Sequence, residues 1–199
     1  PATSINLGNI GTASKSLLFS PSFLSGFDPG FHAFDEYQWK LQNVRFFNTT
    51  RPYSEINYLL GTRTEQIIEL LHTQNLKSNW NAAFQYRLIN SPGFFKNQKT
   101  NHNNYIFSSN YKSTNQRYSN YFVLLGNKMS SGENGGYIDT AASSVLKNPD
   151  FKDRFNIPTY LGGDPSFSFN FFNSKNPTEN NYNLFTALLR QQYDLGRKD

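Results

Sequence analysis

The sequence predicts an all-β chain folded as an antiparallel up-and-down sheet, and three observations carry that reading. The first is alternation. From Trp80 to Leu88 every second residue is apolar or aromatic (Trp80, Ala82, Phe84, Tyr86, Leu88), with Asn81, Ala83, Gln85 and Arg87, mostly polar, between them. Successive side chains of a strand point to opposite faces, so this stretch has one greasy and one wet face. The second is length: several alternating stretches run to about 9–11 residues, which suits a tilted membrane-spanning strand, against about 5–6 for the average strand. The third is composition. Aromatics make up 17% of the chain, with 19 Phe and 12 Tyr, although hydrophobic residues reach only 37%. Aromatics at strand ends suit the girdles of a membrane barrel. Together these favour a transmembrane β-barrel and leave a soluble all-β module open.

In chain order, residues 1–11 are small and polar. Ser16-Leu17-Leu18-Phe19, stopped at Pro21, is a short strand. Asp28-Pro29-Gly30, among Phe27, Phe31 and Phe34, is a turn held by aromatics. Residues 44–48 form another short strand, closed by a turn through Pro52. Over 53–60, Ser54, Ile56, Tyr58 and Leu60 share one face, and Glu55 and Asn57 the other. Residues 65–74 fit either a strand or a helix, because Ile67, Ile68 and Leu71 suit a helical period; short length and neighbouring strands favour a strand. A turn at 75–79 precedes Trp80, and a loop with Ser91-Pro92-Gly93 fills 90–101. Tyr105, Phe107 and Tyr111 then oppose Asn104, Ser108 and Lys112. Residues 117–128 carry apolar side chains on both faces (Phe122 and Leu124; Val123 and Leu125), which predicts burial on both. Residues 130–163 form a long loop with a short helix over about 139–147. Phe167, Phe169 and Phe171 mark another strand, and the last runs over 183–193. The sum is about seven to nine strands in a single unit, 1–199.

Several function classes are disfavoured. The net charge is +5, but Lys and Arg are scattered, apart from Arg197-Lys198, so nucleic acid is not an expected partner. The absence of cysteine excludes disulfides, thiolate metal sites and a cysteine nucleophile. His32, His72 and His102 lie far apart, each read as a loop or interfacial histidine, and Gly8-Asn9-Ile10-Gly11 lacks the Lys-Ser/Thr of a phosphate loop. Asp35 and Glu36, as neighbours in a strand, would point apart. No Ser–His–carboxylate pattern is visible. We therefore expect no catalytic residue, no metal and no cofactor.

The residues that matter are then the two faces. In a barrel, Glu55, Asn57, Glu69, Asn81, Gln85, Arg87, Lys112, Arg190 and Gln192 would line the lumen, where opposite charges set ion preference. Ile56, Tyr58, Leu60, Trp80, Phe84, Tyr86, Leu88, Phe107, Phe185 and Leu189 would meet lipid. On that pattern alone Phe84→Arg is costly and Gln85→Arg nearly silent.

An ordered series of blocks resembles the putative porins of the Bacteroidota, outer-membrane β-barrels. The blocks include Leu7-Gly8-Asn9-Ile10-Gly11, Gly26-Phe27-Asp28-Pro29-Gly30-Phe31, Val44-Arg45-Phe46-Phe47-Asn48-Thr49 with Arg51-Pro52-Tyr53-Ser54-Glu55, and His72-Thr73-Gln74-Asn75 with Trp80-Asn81. Tyr86-Arg87, Ser91-Pro92-Gly93-Phe94-Phe95, Gln116-Arg117-Tyr118, Glu133-Asn134-Gly135-Gly136 and Gln192-Tyr193-Asp194-Leu195-Gly196 complete it. The resemblance implies the N-terminal part of a longer barrel in the bacterial outer membrane. It implies passive diffusion of small polar solutes or ions through a polar lumen, with outer-membrane lipid and those solutes as partners. It leaves room for protein partners or self-association, and the long 130–163 loop would be extracellular. Two rivals stand beside it: a non-conducting structural or adaptor barrel of an envelope complex, and a soluble β-sandwich that binds glycans through exposed aromatics.

Overall fold

The computed structural model describes residues 3–19, 21, 26–28, 30–138, 157–161 and 178–196. Its described secondary structure is strand and short 3-10 turn. A small hairpin pairs β1 (Ser4–Asn6) with β2 (Ser14–Ser16). The main sheet is an antiparallel meander of β3 (Tyr53–Leu60), β4 (Gln66–Lys77), β5 (Trp80–Ser91), β6 (Thr100–Lys112), β7 (Tyr118–Gly132) and β8 (Glu179–Tyr193), in chain order. Among the described residues the sheet does not close on itself, and no second large sheet stacks on it.

Strands β4–β8 exceed the expected length, while β3 has 8 residues. β5 has 12 residues and β7 and β8 have 15 each. Twelve residues at ~3.3 Å each extend ~40 Å, and tilted by about 45° they span about the hydrocarbon thickness of a bilayer. Register keeps the alternation of each strand in phase. Phe84 faces His72 and Phe107, and Phe107 faces Leu124, so one set of parities builds one face across the sheet.

At one end β4–β5 and β6–β7 are joined by short turns around Ser78-Asn79 and over 113–117. In the second, Gln116 takes φ 57, and the hydroxyl of Ser113 donates to Asn115 Oδ1 at 2.6 Å. The other end carries the longer connections, including that between Gly132 and Glu179, within which Tyr137 pairs with Thr159.

The N-terminal segment forms a strap over one face of the sheet. Residues 9–12 and 34–49 lie on it as irregular coil with one 3-10 turn (Leu41–Asn43). Two clusters form the core. Tyr37 packs with Ile89 and Met129, joined by Ile10, Phe34 and Ile67; Ile106, Val123 and Leu125 pack beneath Trp39 and Val44. The last three strand residues are each 1% exposed.

Several expectations change. Residues 44–48 are not a strand: Val44 N bonds Leu41 O of the 3-10 turn and Arg45 O accepts from the Ser108 side chain, with no strand paired beside them. The 16–19 strand reduces to β2, ending at Ser16. The loop at 90–101 shortens to 92–99, since β5 and β6 extend into it. The ambiguous 65–74 stretch is strand β4. The long loop begins at 133 instead of 130. The helix at 139–147 and the strand at 167–171 lie outside the described residues.

Candidate functional site

The site is the face under the strap. All nine residues expected in a lumen share it. Register aligns Glu55, Leu71, Gln85, Ile106, Leu125 and Thr186 in one row, and Asn57, Glu69, Arg87, Asn104 and Asn127 in the next. Asn81, in line with Asn75, Asn110, Tyr121 and Arg190, and Lys112, in line with Ser119 and Gln192, follow towards the short-turn end. The ten apolar candidates share the opposite face by the same registers. That face is uncovered: Ile56 is 69%, Phe185 62% and Leu189 59% exposed, with Tyr58, Leu60, Trp80 and Phe84 also exposed and Tyr86, Leu88 and Phe107 partly so.

Over β4–β7 the polar face is in large part buried, because the strap occupies it, while Glu55, Asn57, Lys112, Arg190 and Gln192 are exposed. The strap crosses it from the loop end to the turn end through one contact after another. Asn9 Nδ2 donates to Ser91 Oγ and Gln98 O, both at 3.1 Å. Thr100 Oγ1 donates to Ile10 O and His102 Nε2 to Gly11 O, both at 2.6 Å. Arg87 donates to Tyr37 O and lies over the Trp39 ring, 4.9 Å from its centre. Asn127 accepts from Trp39 N and donates to Trp39 O, both at 2.9 Å. Ser108 Oγ donates to Arg45 O at 3.0 Å, and Asn75 accepts from Thr49 N at 3.2 Å. A coil leaves its own N–H and C=O groups unpaired, and these strand side chains pair them. That is why polar residues sit in the middle of otherwise apolar strands.

Gly11 shows how close the approach is. Its φ is +87, and a Cβ there would stand 2.7 Å from Thr100 Oγ1 and 3.0 Å from His102 Nε2. Gly11→Ala is therefore expected to cost about 1–3 kcal/mol, the scale of a forced left-handed backbone, and to loosen residues 9–12. A lower urea midpoint with faster amide exchange over 9–12 would show it; unchanged exchange there would contradict the close docking.

Some residues escaped the sequence reading. His102 is a fully buried strap anchor in β6, edge-on to Phe34 (6.2 Å) and tilted against Tyr37 (5.3 Å). His72 is exposed on the apolar face, 2.8 Å from Ser54 Oγ. Asp35 and Glu36 lie in a turn: Asp35 takes Lys40 at 2.9 Å, and Glu36 accepts from Ser4 Oγ at 2.7 Å. Tyr37, Trp39, Asn104 and Asn127 carry the docking, yet only Asn104 stood out in the sequence, by its parity in β6. Burial raises the Tyr37 hydroxyl above its ordinary pKa and lowers the Lys99 ammonium, in the loop before β6.

Clefts remain open among the described residues. One, about 210 Å³, brings together Glu55, Asn57, Glu69 and Gln85 with Trp39 and Arg45 of the strap. Another, about 450 Å³, lies at the short-turn end by Asn48, Asn75, Asn81 and Lys112. Arg190 and Gln192, on β8, join neither of these clefts. Among the described residues no three His, Asp or Glu side chains gather as a metal site would require.

At the outer end of the strap, His32 Nε2 meets Asp28 at 2.9 Å and Nδ1 meets Asp35 at 3.3 Å. The hydrogen bond to Asp28 raises the His32 pKa, and the Gly30 amide with His32 lowers that of Asp28. The histidine contribution is full below its unfolded value of about 6.5 and fades as pH rises through the raised one. The aspartate contribution is full above about 3.9 and fades as pH falls through the lowered one. The clip is thus tightest between about pH 4 and 6.5. Both groups are exposed, so the effect is local: protection of the Gly30 amide, relative to its intrinsic exchange rate at each pH, should be greatest in that window, and His32→Asn should flatten the profile.

A family model described as putative porin matches residues 2–199. Searches of curated proteins and of solved structures gave no match. On a family match over almost its whole length, the chain belongs to the putative porin family.

Proposed function

We propose that the sheet is part of the wall of an outer-membrane β-barrel, the N-terminal part of a longer barrel of the Bacteroidota type, and that the protein is a porin. Small polar solutes or ions diffuse passively along the polar face, through a lumen the strap narrows. The reading asks no chemistry of the chain, so it is not an enzyme and needs no cofactor. Its partners are outer-membrane lipid and the solutes. One observation carries it: a sheet of long strands presents an uncovered face of apolar and aromatic side chains, and its charged and amide side chains gather on the other face with the core beneath the strap, as a wall in lipid requires. Full-length protein in planar bilayers is expected to give stepwise conductance; none above background would overturn the channel.

The second reading, a non-conducting adaptor barrel, has its own support in the strap that fills much of the polar face. Insertion without conductance, with a stoichiometric protein partner on purification, would favour it.

A further inference from the structure

The 210 Å³ cleft is one part of the polar face that the strap leaves open, and its walls are divided by charge. Glu55 of β3 and Glu69 of β4 are contributed by the sheet. Arg45 and Trp39 are contributed by the strap, with Arg45 donating to Gln85 Oε1 at 3.3 Å. Among the described residues no ion pair joins Arg45 to either carboxylate within 4.0 Å. Glu55 takes the Asn57 amide at 2.9 Å and the Tyr53 hydroxyl at 3.1 Å; Glu69 stands cross-strand from Arg87, which is turned to Tyr37 O and the Trp39 ring, and has no side-chain hydrogen bond among the described residues. Gln85 is 7% exposed, and its buried Nε2 has no partner among the described residues. A buried amide donor without an acceptor is a rare and costly arrangement.

These features converge on one ligand chemistry. A lone cation would satisfy the carboxylates and leave Arg45 and the Gln85 donor unanswered. A lone anion would do the opposite. We infer that the cleft binds a small zwitterion of the amino-acid class, its ammonium between Glu55 and Glu69 and its carboxylate on the Arg45 guanidinium and Gln85 Nε2. Guanidinium suits a carboxylate through two parallel donors. Only a small solute fits, since ordinary drug-sized sites begin at about 300 Å³. The inference rests on the porin reading for how the ligand arrives and names the solute class such a pore would favour.

The test is calorimetric titration of the detergent-solubilised full-length protein with alanine, acetate and methylammonium. Saturable binding of alanine is expected, with each half-charged analogue at least about tenfold weaker, the loss of one charge-assisted contact. Arg45→Gln and Glu69→Gln should each weaken alanine by about tenfold, with strand circular dichroism unchanged. Equal affinity for all three probes, no saturation, or variants that bind as well as the parent would overturn the inference. If a variant fails to fold, the three-probe comparison on the parent decides. Conductance without alanine binding removes the inference alone; binding without conductance removes the pore and keeps the cleft.

Discussion

Phe84→Arg is expected to destabilise the membrane-inserted protein by ~2–4 kcal/mol, the cost of a guanidinium on the lipid face near the midplane. Phe84 stands on the uncovered face near the middle of β5, beside Phe107 and His72, and is 41% exposed. Urea-dependent folding into lipid vesicles measures it. Sequence alone makes Gln85→Arg the silent control, and the structure changes that. Gln85 is buried beneath the strap and already accepts from Arg45. A second guanidinium there is left close to the first, with a cost of about 1–3 kcal/mol. The two penalties separate in an Arg45→Ala background. The Gln85→Arg cost should shrink there, because the residues share a contact, and the Phe84→Arg cost should not. An undiminished Gln85→Arg penalty would mean the strap does not lie where we place it.

Asn127→Ala is the second large effect. One amide side chain caps both backbone groups of Trp39 and accepts from Asn104 Nδ2. Removing it leaves up to three polar groups unpaired in a part-buried site, at about 1–3 kcal/mol for each that water cannot reach. We expect a total loss of ~2–4 kcal/mol, and faster exchange of the Trp39 amide than of the β5–β6 ladder. Loss of stability with equal protection at Trp39 would place the damage in the sheet and contradict a docking role.

The sheet was legible because its information is local. Trp80–Leu88 alternates without a break, so its strand and both faces follow from period two alone. β4 was ambiguous because Ile67 and Leu71 lie on the polar face beside Glu69. They do so because that face is not simply wet: Ile67 packs at the cluster of Tyr37, Ile89 and Met129. β7 reads as buried on both faces, yet only the face of Val123 and Leu125 is buried, while Phe122 and Leu124 are partly exposed on the other; what covers Val123 and Leu125 was not legible. Trp39 and Val44 do so from about 80 residues away. The strap has no period for a pattern to reveal. It is held by pairings such as Asn9 with Ser91 and His102 with Gly11, which join distant parts of the chain. The extended run at 44–48 reads as a strand because Val44, Phe46 and Phe47 favour that conformation, yet Val44 N bonds the preceding turn at Leu41 O and Arg45 O the Ser108 side chain, and no strand pairs with it.

The central claim is that β5 has one face towards lipid and the other beneath the strap. The chain has no cysteine, so single cysteines can be placed in turn at Ala82, Phe84, Tyr86 and Leu88 and at Ala83, Gln85, Arg87 and Ile89. Each is labelled with a polarity-sensitive fluorophore and reconstituted in vesicles of brominated lipid. Strong quenching is expected at the four even positions and little at the four odd ones. Uniform quenching along the strand, or none at any position, would contradict it.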